Sequence, residues 1–180
     1  MPYVVEATRL AAAAHPDVPV IVSLTGPVST AASIVDPITF YKELRKNSAQ
    51  AEKGLDYVVE LLAAYAERAV QAGASVIAIG DPSATGEILG PKMFEAYALK
   101  YNNKFAERVH QLGVPFILHI CGDMPVHHDD GQRQYVRAGV GRRREGLSSI
   151  RRRSAPGRDG QVRCAFFVCQ RQDGVRSRGK

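Results

Sequence analysis

His119 and Cys121 stand two residues apart in the run PFILHICGD at 115–123. In an extended strand, residues i and i+2 share one side. An imidazole and a thiolate there could therefore hold one metal ion. Zinc accepts this nitrogen and sulfur mixture, and a catalytic zinc needs about three protein ligands plus an open position. His-x-Cys supplies two of them. Taken alone, the pair reads first as a buried structural histidine beside a small apolar cysteine. Asp81, in GDPSATG at 80–86, could bind substrate, act as a base, or support a ligand. It could equally cap a helix or close the turn before Pro82. Gly26-Pro27 could shape a substrate loop, although a plain turn is the simpler reading. GDPSATG has neither the spacing of a phosphate loop nor that of a dinucleotide fingerprint. Gly26, Pro27, Asp81 and Ser83 thus stand as candidate substrate contacts, and His119 and Cys121 as candidate metal ligands. No residue is assigned a catalytic step.

The elements that must position these residues alternate along residues 1–124. YVVEATRLAAAA at 3–14 has the pattern of a short amphipathic helix. PVIVSL at 19–24 is a strand-length apolar run stopped by Thr25-Gly26-Pro27. A loop or short helix is expected over 28–46. Leu55, Val58, Val59, Leu62, Ala66, Ala69 and Val70 recur at spacings of three and four, which predicts one long helix over 48–72. Ser48 is a candidate N-cap and Gly73 a candidate left-handed terminator. SVIAIG at 75–80 is the next strand. A second long helix is expected from Pro91, which suits a first helical turn, to Leu112. Phe94, Ala98, Tyr101, Phe105, Val109 and Leu112 form its stripe, and Gly113 ends it. PFILHI at 115–120 is the third strand.

An internal echo reinforces this order. Glu67-Arg68, Gln71, Gly73, Ile77 and Ile79 match Glu107-Arg108, Gln111, Gly113, Ile117 and His119 at a constant offset. One helix and one strand fill each period. Strands buried on both faces and separated by long helices imply a parallel sheet. Sites in such folds gather at the carboxyl ends of the strands, so Gly26-Pro27, Asp81-Ser83 and His119–Cys121 should share one rim.

Charge divides the chain. Residues 1–124 carry 10 basic and 13 acidic residues, a net charge of −3. Residues 125–180 carry 14 basic and five acidic residues, a net charge of +9, which together make the +6 of the whole. Thirteen of those 14 bases are arginine, and the segment holds one Leu and one Ile. So little aliphatic surface cannot offset an ordering cost of about 1–2 kcal/mol per residue. An irregular or disordered tail is expected over 125–180. Its composition is that of GC-rich coding sequence read out of frame. A shift of one nucleotide allows Ala138-Gly139-Val140-Gly141 to be read as Leu-Glu-Leu-Asp. The His127-His128-Asp129-Asp130 run then loses its appeal as a metal site. Arg142–Arg144 and Arg151–Arg153 could grip phosphates, but without interleaved aromatics nucleic acid is a disfavoured partner.

Three cysteines in 180 residues do not make a disulfide scaffold. No apolar run approaches the roughly 18 residues of a membrane span, and the start lacks a secretory pattern. A cytoplasmic location with no membrane partner is expected.

SLTGPVSTAASI at 23–34, QAGASVIAIGDPSA at 71–84, ILGPKMFEAY at 88–97 and GVPFILHICGD at 113–123 resemble the uroporphyrinogen decarboxylase superfamily. Within it they are most similar to the zinc-dependent corrinoid:coenzyme M methyltransferase branch. The resemblance covers about residues 1–124. It implies a (β/α)8 barrel, of which this chain would supply about three parallel strands from mid-barrel. It places two zinc ligands on His119 and Cys121 and reverses the simpler reading of that pair. The third ligand would be a distant downstream cysteine; Cys164 and Cys169 lie in a different sequence context and are not assigned. The implied reaction carries a methyl group from a corrinoid on a partner protein to a zinc-bound small thiol, and truncation would impair it. Two alternatives remain. One is a decarboxylase acting on tetrapyrrole acetate side chains, a lyase of porphyrin biosynthesis. The other is an inactive fragment or basic-tailed nucleic-acid-binding protein.

Overall fold

The computed structural model describes residues 2–121 and 164–169. Helix α1 (Pro2–Ala14) leads to strand β1 (Ile21–Thr25). Helices α2 (Pro27–Val35), α3 (Pro37–Lys46) and α4 (Ser48–Gln71) follow, then β2 (Val76–Gly80). Helix α5 (Gly86–Met93) passes into a π-helical turn, Phe94–Leu99, and on into α6 (Lys100–Gln111). Strand β3 (Phe116–Cys121) comes next, and β4 (Cys164–Cys169) is the last described element.

The sheet order is β1-β2-β3-β4. The first three strands are parallel, with Thr25 beside Gly80 and Gly80 beside His119. Parallel neighbours require long crossovers, and the helical segments between β1, β2 and β3 provide them. Residues 2–121 thus form a parallel β/α layer of the kind expected for a section of a (β/α)8 barrel. Strand β4 differs. It runs antiparallel to β3 and lies inside the segment expected to be irregular. Its centre, Phe166-Phe167-Val168, is a short run of strand formers, which the composition of the whole tail conceals. The His127–Asp130 run and both arginine triplets lie outside the described residues.

Burial follows the helix stripes. Leu55, Val58, Val59, Leu62, Ala66 and Ala69 of α4 are buried, as are Ala98, Tyr101, Phe105 and Val109 of the second long helical segment. They pack against Val22, Ile77, Ile79, Phe116, Leu118 and Ile120 from the strands. Burial on both strand faces, the expectation from the apolar runs, is not found. Ala78, Ile117 and His119 alternate with the buried set and stay half-exposed.

Several local expectations are refined. The stretch 28–46 is two helices, divided at Asp36, whose backbone takes φ 119 and whose carboxylate caps α3 by accepting from the Thr39 N–H. Ser48 opens α4 but does not cap it. Asn47 occupies the cap position, without a side-chain bond. The second long helix does begin anew at Pro91, because Gly90 breaks the path with φ 71 and ψ 164. Gly73 and Gly113 both take positive φ, 105 and 81, as the echo required. At Gly73 a Cβ would also lie 2.7 Å from that of Ala12.

A ladder of charges joins α4 to α6. Glu52 pairs with Lys100, Asp56 with Lys104 at 2.7 Å, and Glu60 with Arg108 at 3.0 Å. Each side advances by four residues, one helical turn, so the two helices run with matched rungs. The side chains are about half exposed, and each rung contributes little. Lys104→Glu, which sets two carboxylates on one rung, is expected to cost about 1 kcal/mol or less in low salt. Urea unfolding in ~1 M salt should show most of that loss disappear.

Candidate functional site

The carboxyl ends of β1, β2 and β3 form one rim, as the sequence implied. Backbone bonds stitch it together. The Gly26 N–H donates to the Gly80 carbonyl at 2.8 Å, and the Asp81 N–H donates to the His119 carbonyl at 2.9 Å.

Asp81 is fully buried, at 0% exposure. Its Oδ1 accepts from the Ser29 N–H at 2.8 Å and the Ser29 hydroxyl at 2.6 Å. Its Oδ2 accepts from the Val28 N–H at 3.3 Å and from Asn102 Nδ2 at 3.1 Å. Val28 and Ser29 lie in the first turn of α2, where backbone N–H groups have no helical partner. The cap residue of α2, Gly26, has no side chain to serve them. Asp81 does so from the end of the next strand, with a charge that suits the helix dipole. Gly26 is required there, because a Cβ would stand 2.5 Å from Asp81 Cβ and Cγ. Pro27 sits in the first turn of α2, where its missing N–H costs nothing.

Ser83 joins through its backbone. Its N–H donates to Ser29 Oγ at 2.9 Å, and its carbonyl accepts from the Tyr41 hydroxyl at 3.2 Å. Ser29, Asn102 and Tyr41 were not singled out in the sequence. Asn102 had a signal, since a lone amide falls on the stripe between Ala98 and Phe105 at helical spacing. Its Oδ1 is buried with no partner.

The candidates divide between the two faces of the sheet. Gly26, Pro27 and Asp81 are enclosed on the helix side and present no open polar atom, so their geometry is that of positioning groups. His119 lies on the half-exposed face. Its register neighbour is Gly80, where an added Cβ would meet nothing within 4 Å. Cys121 closes β3 two residues on. Among the described residues, no three His, Cys, Asp or Glu side chains converge on one point. His119 and Cys121 are donors of the kind zinc accepts, one short of the usual three.

A family model described as Uroporphyrinogen decarboxylase (URO-D) matches residues 1–138. The chain belongs to that family. Its curated relatives fall in the methyltransferase branch. It is 37% identical over 123 residues to the methylcobamide:CoM methyltransferase MtaA of Methanosarcina barkeri, covering 68% of this chain and 35% of the relative. It is 36% identical over 107 residues to the methylcobamide:CoM methyltransferase MtbA of Methanosarcina mazei, covering 59% and 31%. A solved structure, a methyltransferase from Methanosarcina mazei, superposes with a TM-score of 0.64 at 35% identity, over 68% of this chain and 36% of that one. The chain thus spans about a third of the length of these relatives. No described helix is long and apolar enough to cross a membrane.

Burial raises the Asp81 pKa above the ordinary aspartate value, against the downward pull of its hydrogen bonds to Ser29, Asn102 and Val28. A raised value makes the folded state the stronger proton binder. Its contribution is full below the unfolded pKa and lost as pH climbs through the folded one. Urea unfolding between about pH 4 and about pH 8 should therefore show wild-type stability falling more than that of Asp81→Asn, which has no such proton to lose. Asp81→Ala, which strands the donors of Val28, Ser29 and Asn102, is expected to cost at least ~1–3 kcal/mol.

Proposed function

We propose that this chain carries the ligand-bearing strand of a methyltransferase. The reaction would move a methyl group from a corrinoid on a partner protein to a small thiol. The support is the identity to the methylcobamide:CoM methyltransferases, read together with a His-x-Cys pair at the carboxyl rim of β3. Zinc held by His119 and Cys121 would lower the pKa of a thiol and keep it as a thiolate. The rest falls to the chain's own groups. The Asp81 clamp fixes the end of β2 against α2 and, through its N–H, holds the backbone at His119. Gly80, the register neighbour of His119, adds no side chain beside it. The decarboxylase alternative draws on the family's name, and the identity to methyltransferases weighs against it.

Zinc content of the purified full chain, measured under reducing conditions, tests this reading. About one ion per chain is expected, because His119 and Cys121 together would hold a single metal. Affinity should fall at least ~10-fold in His119→Ala and in Cys121→Ser, since even partners that only orient a ligand cost that much. A chain that takes up no zinc would overturn the metal-dependent reading.

A further inference from the structure

An amide interrupts the buried stripe of α6. Asn102 falls between Ala98 and Phe105 at helical spacing and is 0% exposed. Its Nδ2 donates to Asp81 Oδ2 at 3.1 Å, while its Oδ1 is buried without a partner among the described residues. A leucine there would fill the stripe and leave no polar atom unpaired, and an unpaired buried carbonyl costs free energy. Packing therefore does not account for the amide. Its bond to Asp81 does.

The other donors to Asp81, the Val28 N–H and the Ser29 N–H and hydroxyl, all come from α2. Asn102 brings a donor from α6, the helix that leads into β3. Strand β3 is thereby tied to α6 at two levels. At its start, Phe116 meets Phe105 edge-on with ring centroids 5.7 Å apart, and His110 at 6.5 Å. Near its carboxyl end, the His119 carbonyl accepts from the Asp81 N–H at 2.9 Å, and Asp81 is the residue that Asn102 grips. The first tie is aromatic packing. The second is a relay of two hydrogen bonds.

We infer that Asn102 is a positioning residue for His119, acting through Asp81. The inference rests on the metal-binding reading above for what His119 does at the rim. The relay runs from Asn102 Nδ2 to the Asp81 carboxylate, and from the Asp81 N–H to the His119 carbonyl. It sets the height of the end of β3 against β2, and with it the place of the imidazole. The bonds from α2 would still hold Asp81 without Asn102, but α6 would then have lost its polar tie to that carboxylate.

Amide hydrogen exchange of the full chain, followed by NMR, tests this. The Ile77 N–H donates to the Pro115 carbonyl at 3.1 Å between the same two strands, and it serves as the internal reference. Asn102→Leu keeps the stripe filled and removes the donor. It should speed exchange at the Asp81 N–H at least ~10-fold, as expected for losing a hydrogen bond to a charged group, and leave Ile77 unchanged. In an Asp81→Ala background, Asn102→Leu should add little at the backbone N–H of position 81, because its route is already gone. Zinc affinity, measured by competition with a chromophoric chelator, should fall about 10-fold in Asn102→Leu. Equal acceleration at both amides, or at neither, makes Asn102 a packing residue and overturns the inference. So does a full additive effect in the Asp81→Ala background. Zinc binding that Asn102→Leu leaves intact and His119→Ala weakens overturns it as well. If His119→Ala also binds zinc as the wild type does, the metal-binding reading fails by itself, and the exchange ratio alone decides the part of Asn102.

Discussion

Everything at the rim depends on one enclosed carboxylate. Asp81 accepts four hydrogen bonds, two of them from backbone groups at the open end of α2. A buried charge is tolerated only when its lone pairs are engaged, and here the partners come from β2's own neighbours. The bond network joins the loop after β1, the end of β2 and α6 at one point. Gly26 exists in its present form because the carboxylate packs directly over it. The half-exposed face that carries His119 is the other side of the same joint.

The helical layer is organised by a second, weaker constraint. Helices α4 and α6 meet through buried stripes below and three matched ion pairs above. The echo between residues 67–79 and 107–119 is visible in space as two helix ends, two positive-φ glycines and two adjacent strands. The second of these helices starts from the π-helical turn Phe94–Leu99, and Phe94 and Phe105 both reach the core.

Periodic elements were legible in the sequence because burial writes a period into it. The stripes of α4 and α6, the three parallel strands and both terminating glycines could be read directly, as could the rim that gathers Gly26, Asp81 and His119. What the rim residues do was harder to read. Asp81 caps a helix that begins 54 residues before it, and no local window contains that pairing. Ser29 and Asn102 are visible as its partners only once α2 and α6 are placed. Strand β4 was hidden for a different reason. Three strand-forming residues, Phe166, Phe167 and Val168, disappear in the average of an arginine-rich segment, and neither their partner nor their direction is encoded nearby.

A β-strand has two edges. Strand β3 gives one to β2 and the other to β4. In an all-parallel barrel that second edge belongs to the next parallel strand. The two occupants exclude each other, because each would use the same backbone N–H and C=O groups. The place of β4 is therefore one of competition. While it is seated, the barrel cannot continue past β3, and any strand that extends the barrel in that direction must first displace it. Edge pairing alone would make that an exchange of similar hydrogen-bond ladders.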